Sequence, residues 1–279
     1  MKVYISGKLY SAEDAKVSLL GSGVRTGLGL RTLFCCRAGL FFHLPERLQR
    51  LREVAGELAM PFPADANDLK EALAATYDMN GYEGQDATME LFLIAGNRNE
   101  EPTVAIIATK RPATGDKLAE PIAAASLANF PVDASVLLME RNLLARAGTR
   151  LARLHVARRK AREAIILDGD GFISCCTGGE LFALHSKGIW MAELVRPPIT
   201  GQLALELFGE MDIKVSVQKL KLRDLQASGE CFFLNELCEP VPISSIDGTA
   251  IGDGKAGAKI TTLAQDFAAR LRLASRPAF

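Results

Sequence analysis

The sequence predicts an α+β protein folded as two lobes. Three observations predict it. At 279 residues, 48% hydrophobic and 24% charged, the chain is long enough for one large or two medium globular domains. Strand hairpins and amphipathic helices can be read along its length. Between them lies KRPATGDKLAE, Lys110 to Glu120, whose turn residues and charge mark a linker. The resulting division is a small N-terminal α+β lobe at 1–115, a linker at 116–121 and a larger C-terminal α+β lobe at 122–279.

In the first lobe, Val3-Tyr4-Ile5, Ser6-Gly7 and Leu9-Tyr10 read as a hairpin. Glu13 to Val17 then leads into a glycine-rich passage, Gly21 to Gly29. Leu44 opens a helix with Pro45 in its first turn and Leu48, Leu51, Ala55 and Leu58 at helical spacing. A second helix over Asp68 to Asp78 stops at Asn80-Gly81, and strands follow at Ala87–Ala95 and Thr103–Thr109.

The second lobe begins near Ile122. Its Asn142 to Ala161 stretch is predicted helical and is basic, with Arg146, Arg150, Arg153, Arg158, Arg159 and Lys160, followed by Arg162. Those cations suit either an anionic-ligand groove or a solvated face whose charges complement the helix C-terminus. Next comes EAIILDGDGFISCCTGGELF, Glu163 to Phe182, where Asp168-Gly169-Asp170-Gly171 is a tight-turn signal between two strands. A helix opening after Pro198 would offer unpaired N–H groups and positive dipole to an anion. Gly252, Gly254 and Gly257 match G-x-G-x-x-G, yet too little chain follows for a dinucleotide-binding unit, so a turn and helix start over Ala258 to Leu273 is expected.

Charge excludes some functions. Thirty-three basic residues balance thirty-three acidic ones, which favours neither nucleic acid nor an anionic membrane and leaves a small-molecule anion or amino acid as the expected partner. The N-terminus lacks a signal-peptide core and no run is long and apolar enough to span a membrane, so a cytoplasmic protein is expected. Six cysteines include the adjacent pairs Cys35-Cys36 and Cys175-Cys176 without C-x-x-C spacing. Neighbours on a strand face opposite ways, so buried thiols in a reducing compartment are expected and no metal site.

The Glu163 to Phe182 stretch resembles the class IV aminotransferases, the fold type IV pyridoxal 5′-phosphate (PLP) enzymes: branched-chain and D-amino acid aminotransferases and aminodeoxychorismate lyase. Their pattern EAL-x-LD-x-x-G-x-x-x-E-x-x-x-x-N-LF is matched at Glu163-Ala164, Leu167-Asp168, Gly171 and Leu181-Phe182. Cys175 stands where the family's pyridine-pairing Glu belongs, and Glu180 where its Asn belongs. Counting back by the family's spacing from the Glu-Ala pair puts the Schiff-base lysine position at or next to Arg141, with no lysine between Lys117 and Lys160.

The resemblance runs through nearly the whole chain. It implies a strand over Glu13 to Val17, and it matches Gly27, with Arg31-Thr32 at a Phe-Glu position. Arg50 falls on the phosphate-binding arginine of H-x-x-R-L, and is otherwise a solvated helix arginine. Pro198-Ile199-Thr200-Gly201 resembles the family's G-I-T-R, whose Ile and Thr hold the phosphate. Glu236 falls on a Thr that touches it, where a carboxylate would repel a dianion. Arg50, Ile199 and Thr200 are thus the candidate cofactor contacts, and Arg31, Glu180 and Glu236 candidate substrate contacts. Arg50, Arg141, Cys175 and Thr200 are expected to line a cleft between the lobes of a homodimer.

Function lives in the site rather than in the fold. Two readings follow: a PLP-dependent aminotransferase or lyase with an unusual site, or a catalytically inactive relative that binds a small anion or a protein partner. A third is different chemistry using Cys175 or Glu180 as acid or base. His43, His155 and His185 have no neighbour suggesting a Cys-His pair.

Overall fold

The computed structural model of the chain describes residues 1–63, 66–97, 100–111, 118–139, 142–186, 188–194, 199–274 and 276–277. Two compact units emerge, Met1–Gly115 with Arg141–Ala145 and Leu271–Phe279, and Asp116–Glu140 with Arg146–Arg270. No helix of the described residues is long and apolar enough to cross a membrane.

In the first unit β1 (Lys2–Ile5) and β2 (Lys8–Ser11) form a hairpin with Ile5 opposite Lys8. Ser6 and Gly7 both take positive φ, 39° and 93°, as a two-residue turn matching strand twist requires. Glu13–Val17 forms no strand: Ser11 Oγ donates to Asp14 Oδ2 at 2.7 Å, closing a turn instead. There follow α1 (Ser22–Thr26), β3 (Gly29–Arg37), β4 (Leu40–Phe41), α2 (Leu44–Glu57), α3 (Ala66–Met79), β5 (Asp86–Ile94) and β6 (Thr103–Lys110). The strands lie in the order β4, β3, β5, β6, β1, β2. Along β5, Ala87, Met89, Leu91 and Leu93 are all fully buried, the period of two that gives a sheet one covered face. Leu48, Leu51 and Val54 of α2 and Leu69, Leu73 and Tyr77 of α3 share one core with them. Each large side chain so covered contributes about 1.5–3 kcal/mol.

The second unit opens with β7 (Ile122–Leu127), α4 (Ala134–Met139), α5 (Ala147–Ala157) and β8 (Glu163–Leu167). β7 and β8 are parallel neighbours, with Ala124 opposite Glu163, so the helices are their crossover. The helix expected over Asn142–Ala161 is confined to α5. Before it, Leu143 bridges to Leu30, and the Leu144 N–H donates to the Gly29 carbonyl at 2.9 Å. After it, Lys160 turns left-handed at φ 59° and the Ala161 N–H returns to the Val156 carbonyl, which ends the helix.

The chain continues with β9 (Ile173–Cys176), β10 (Glu180–His185), β11 (Gly188–Ala192), α6 (Ile199–Glu210), β12 (Val215–Gln218), α7 (Leu222–Gln226), β13 (Glu230–Leu234), β14 (Pro240–Ile246), β15 (Thr249–Ala250), α8 (Ala258–Ala274) and β16 (Arg276–Pro277). The second sheet runs β12, β11, β10, β13, β14, β7, β8, β9, with β15 beside β14, while β16 extends the first sheet next to β4. The core of the second sheet includes Ile165, Leu181, Ala183, Phe233 and Ile246.

Candidate functional site

The β8–β9 hairpin sets the site's geometry. Asp168 Oδ1 accepts from the Asp170 and Phe172 N–H groups at 3.0 and 2.8 Å, and Gly171 takes φ 78°, which fixes the turn. Cys175 lies opposite Ile166 but Ile173 lies opposite Leu167, so Ser174 is an extra residue in the ladder. The bulge puts Ile173 on the same face as Cys176, three residues on. Ile173 and Cys176 join the core of the second sheet, whereas Cys175, 2% exposed, enters a cluster with Ala125, Leu137, Ala152, Val156 and Ile166.

Past the hairpin, Thr177 ties it to α5. Its hydroxyl donates to Glu163 Oε2 at 2.6 Å and accepts from the Ala164 N–H at 2.9 Å. Arg153 completes the knot, Nε to Glu163 Oε2 at 2.8 Å and Nη2 to the Thr177 carbonyl at 2.9 Å.

Glu180 opens β10 and is wholly buried. The Thr200 hydroxyl, on the first turn of α6, donates to Glu180 Oε2. A Cβ on Gly201 would stand 3.0 Å from Glu180 Cγ and 2.9 Å from Met191 Cε, so glycine makes the room this side chain occupies. Carboxylates are favoured at a helix N-terminus, where N–H groups lack intrahelical partners. Ile199 begins α6; Val195 to Pro198, the start of the anion-binding motif, and Arg141 lie outside the described residues.

A second strand glutamate meets a helix start after the turn at Gly252 and Gly254. Both take positive φ, 57° and 76°, and α8 begins at Ala258. The N–H groups of Lys259 and Ile260 donate to the Glu230 carboxylate at 3.3 and 2.8 Å, so this helix start is capped by backbone donors on a strand glutamate.

Three arginines of the basic segment are ion-paired. Arg146 Nη2 meets Glu236 Oε1 at 2.7 Å, Arg153 meets Glu163, and Arg159 Nη1 meets Asp247 Oδ1 at 3.1 Å. Glu236 therefore carries its own counter-cation, which offsets the repulsion of an anion expected from its charge alone. In the first unit, Arg31 Nε donates to Glu90, and Arg50 Nη1 donates to Glu53 Oε2 at 3.1 Å. Sequence reasoning passed over Arg47, one turn earlier, which is 3% exposed and donates to the Leu33 carbonyl at 3.0 Å. Its place among the apolar positions Leu44, Leu48 and Leu51 was the available signal.

His43 lies 3.6 Å from Glu46, His155 Nδ1 lies 3.0 Å from the Leu151 carbonyl, and His185 packs on Trp190 at 3.8 Å between ring centroids. All six cysteines are buried thiols; desolvation pushes Cys36 up to about 12 and Cys231 further up. Among the described residues no group of His, Cys, Asp or Glu could hold a metal ion.

The putative branched-chain-amino-acid aminotransferase of Methanocaldococcus jannaschii is 27% identical over 278 residues, covering 96% of this chain and 95% of that protein. The D-alanine aminotransferase of Listeria monocytogenes is 24% identical, covering 96% and 95%. Among solved structures, the T.th. branched-chain amino acid aminotransferase with pyridoxamine 5′-phosphate superposes with a TM-score of 0.85 at 22% identity, covering 99% of this chain and 95% of that one. The branched-chain aminotransferase of Thermoproteus uzoniensis with norvaline gives 0.84 at 21% identity, covering 100% and 99%. These likenesses share the fold type IV architecture. The family model for Amino-transferase class IV matches residues 31–246, most of both lobes, and the chain belongs to that family.

Proposed function

We propose that this chain is a class IV aminotransferase relative that binds a small amino acid or organic acid without covalent chemistry and does not transaminate by the usual route. The observation that carries the reading is Cys175. At the position the resemblance gives to a carboxylate, a thiol lies 2% exposed among alanines, valine and isoleucine. A pyridine nitrogen there would meet a thiol in place of the carboxylate that holds its proton, and the cofactor acts as an electron sink only while that nitrogen is protonated. Arg141, at or next to the lysine position, offers a guanidinium that stays protonated and is no nucleophile.

The residues also do not fit the cofactor's phosphate. Thr200, its expected hydroxyl donor, is engaged by buried Glu180, and Arg50 is shared with Glu53. The chain is further proposed to be a homodimer, on the family resemblance alone. A second reading, amino acid transamination or an aminodeoxychorismate-lyase-type reaction by an altered site, is favoured by the relatives' names.

The test is reduction with borohydride in the presence of pyridoxal 5′-phosphate. The unmutated chain is expected to stay colourless and to gain no mass. Arg141→Lys with Cys175→Glu is expected to yellow more than Arg141→Lys alone. A reducible adduct on a lysine of the unmutated chain refutes the reading.

A further inference from the structure

We propose that Glu180 is a built-in occupant of the α6 N-terminus, and that this chain thereby excludes phosphate, free or esterified, from the turn beginning at Ile199. The proposal deepens the reading above by naming the ligand class that this end of the fold refuses.

Four observations converge on one side chain. Glu180 is wholly buried, and the hydroxyl of Thr200, itself 5% exposed, donates to its carboxyl. A Cβ on Gly201 would stand 3.0 Å from its Cγ, so glycine as the third residue of α6 leaves the room that the side chain takes. The backbone that carries it is tightly placed: a Cβ on Gly179, the preceding residue, would lie 1.7 Å from the Leu234 carbonyl oxygen, so β10 is pressed against β13 where Glu180 begins. Two residues on, Phe182 packs edge-on against Phe208 of α6 at 5.6 Å and stacks on Phe232 at 5.0 Å, which pins the helix to the strand carrying the glutamate.

A phosphate at this helix start needs the first-turn N–H groups and the nearby hydroxyl. Glu180 engages that hydroxyl and stands beside Gly201 of the first turn, and as an anion it would also repel a dianion at short range.

Inorganic phosphate is the probe, titrated calorimetrically into the unmutated chain and into Glu180→Asn, Thr200→Val and the double variant. The unmutated chain is expected to show no phosphate binding that Thr200→Val alters. Glu180→Asn, one methylene shorter and uncharged, is expected to gain at least about tenfold in affinity, the scale of one charge-assisted hydrogen bond regained, and the double variant to lose most of the gain. Phosphate bound by the unmutated chain as tightly as by Glu180→Asn, or weakened there by Thr200→Val alone, overturns the proposal. If Glu180→Asn fails to fold, the comparison of the unmutated chain with Thr200→Val still decides. The two readings fail separately: an adduct with unphosphorylated pyridoxal sinks the non-covalent reading and leaves this one standing, and phosphate on Thr200 does the reverse.

Discussion

Thr177→Val is expected to destabilise the second unit by about 2–3 kcal/mol, more than twice the loss from Arg153→Met. Valine matches threonine in shape, so the change removes little besides a hydroxyl that is nearly buried, the residue being 8% exposed. The Ala164 N–H, on a fully buried residue, loses its 2.9 Å acceptor, and an unsatisfied buried donor costs about 1–3 kcal/mol. Glu163 also loses its 2.6 Å donor, although Arg153 remains on the same oxygen. The Arg153 side chain is 42% exposed, where solvent screening leaves an ion pair worth about 0–1 kcal/mol, and methionine keeps its apolar stem. Urea unfolding followed by fluorescence reports this unit, because the one tryptophan, Trp190, lies in it. An Arg153→Met loss equal to or larger than that of Thr177→Val would show that the guanidinium, not the hydroxyl, fastens the hairpin to α5.

Gly179→Ala is expected to abolish native folding, since the added methyl would overlap the Leu234 carbonyl oxygen at 1.7 Å, a backbone atom of the paired strand; soluble protein with native circular dichroism contradicts this. Burial raises Cys36 from an ordinary 9.0 to about 12, so the unfolded thiol ionises first. Its contribution to stability is complete below about pH 9 and is lost as pH rises toward 12. Cys36→Ala is expected to flatten the alkaline fall in stability, and an unchanged slope in the variant refutes the assignment.

Much of the fold was legible because its signals are local. The period of two in β5 and the turn residues of the two hairpins at Ser6-Gly7 and Asp168 to Gly171 need no knowledge of distant chain. β7 and α4 went unread: a short alanine-rich strand such as Ile122–Leu127 owes its state to parallel partners on both sides rather than to its own pattern. The same holds at the site. Spacing located Cys175 and Glu180, but whether each met solvent, a ligand or core depended on a bulge at Ser174 and on glycines at 179 and 201, which no periodicity announces. The ion pairs of Arg146 and Arg159 join residues 90 and 88 positions apart and were equally out of reach, their partners being Glu236 and Asp247.

The two glutamates that accept from the first turns of α6 and α8 sit on paired strands with one shared pattern. β10 reads Glu-Leu-Phe-Ala-Leu and β13 reads Glu-Cys-Phe-Phe-Leu, running antiparallel so that Glu180 faces Leu234, Phe182 faces Phe232 and Leu184 faces Glu230. A slip of one residue in either strand would turn its alternating set to the opposite face of the sheet. Such a slip would break the central aromatic stack and withdraw a carboxyl from a helix at one end of the pair. The arrangement works as a checksum on strand pairing: α6 and α8 are both properly begun only when the ladder between them has been counted correctly.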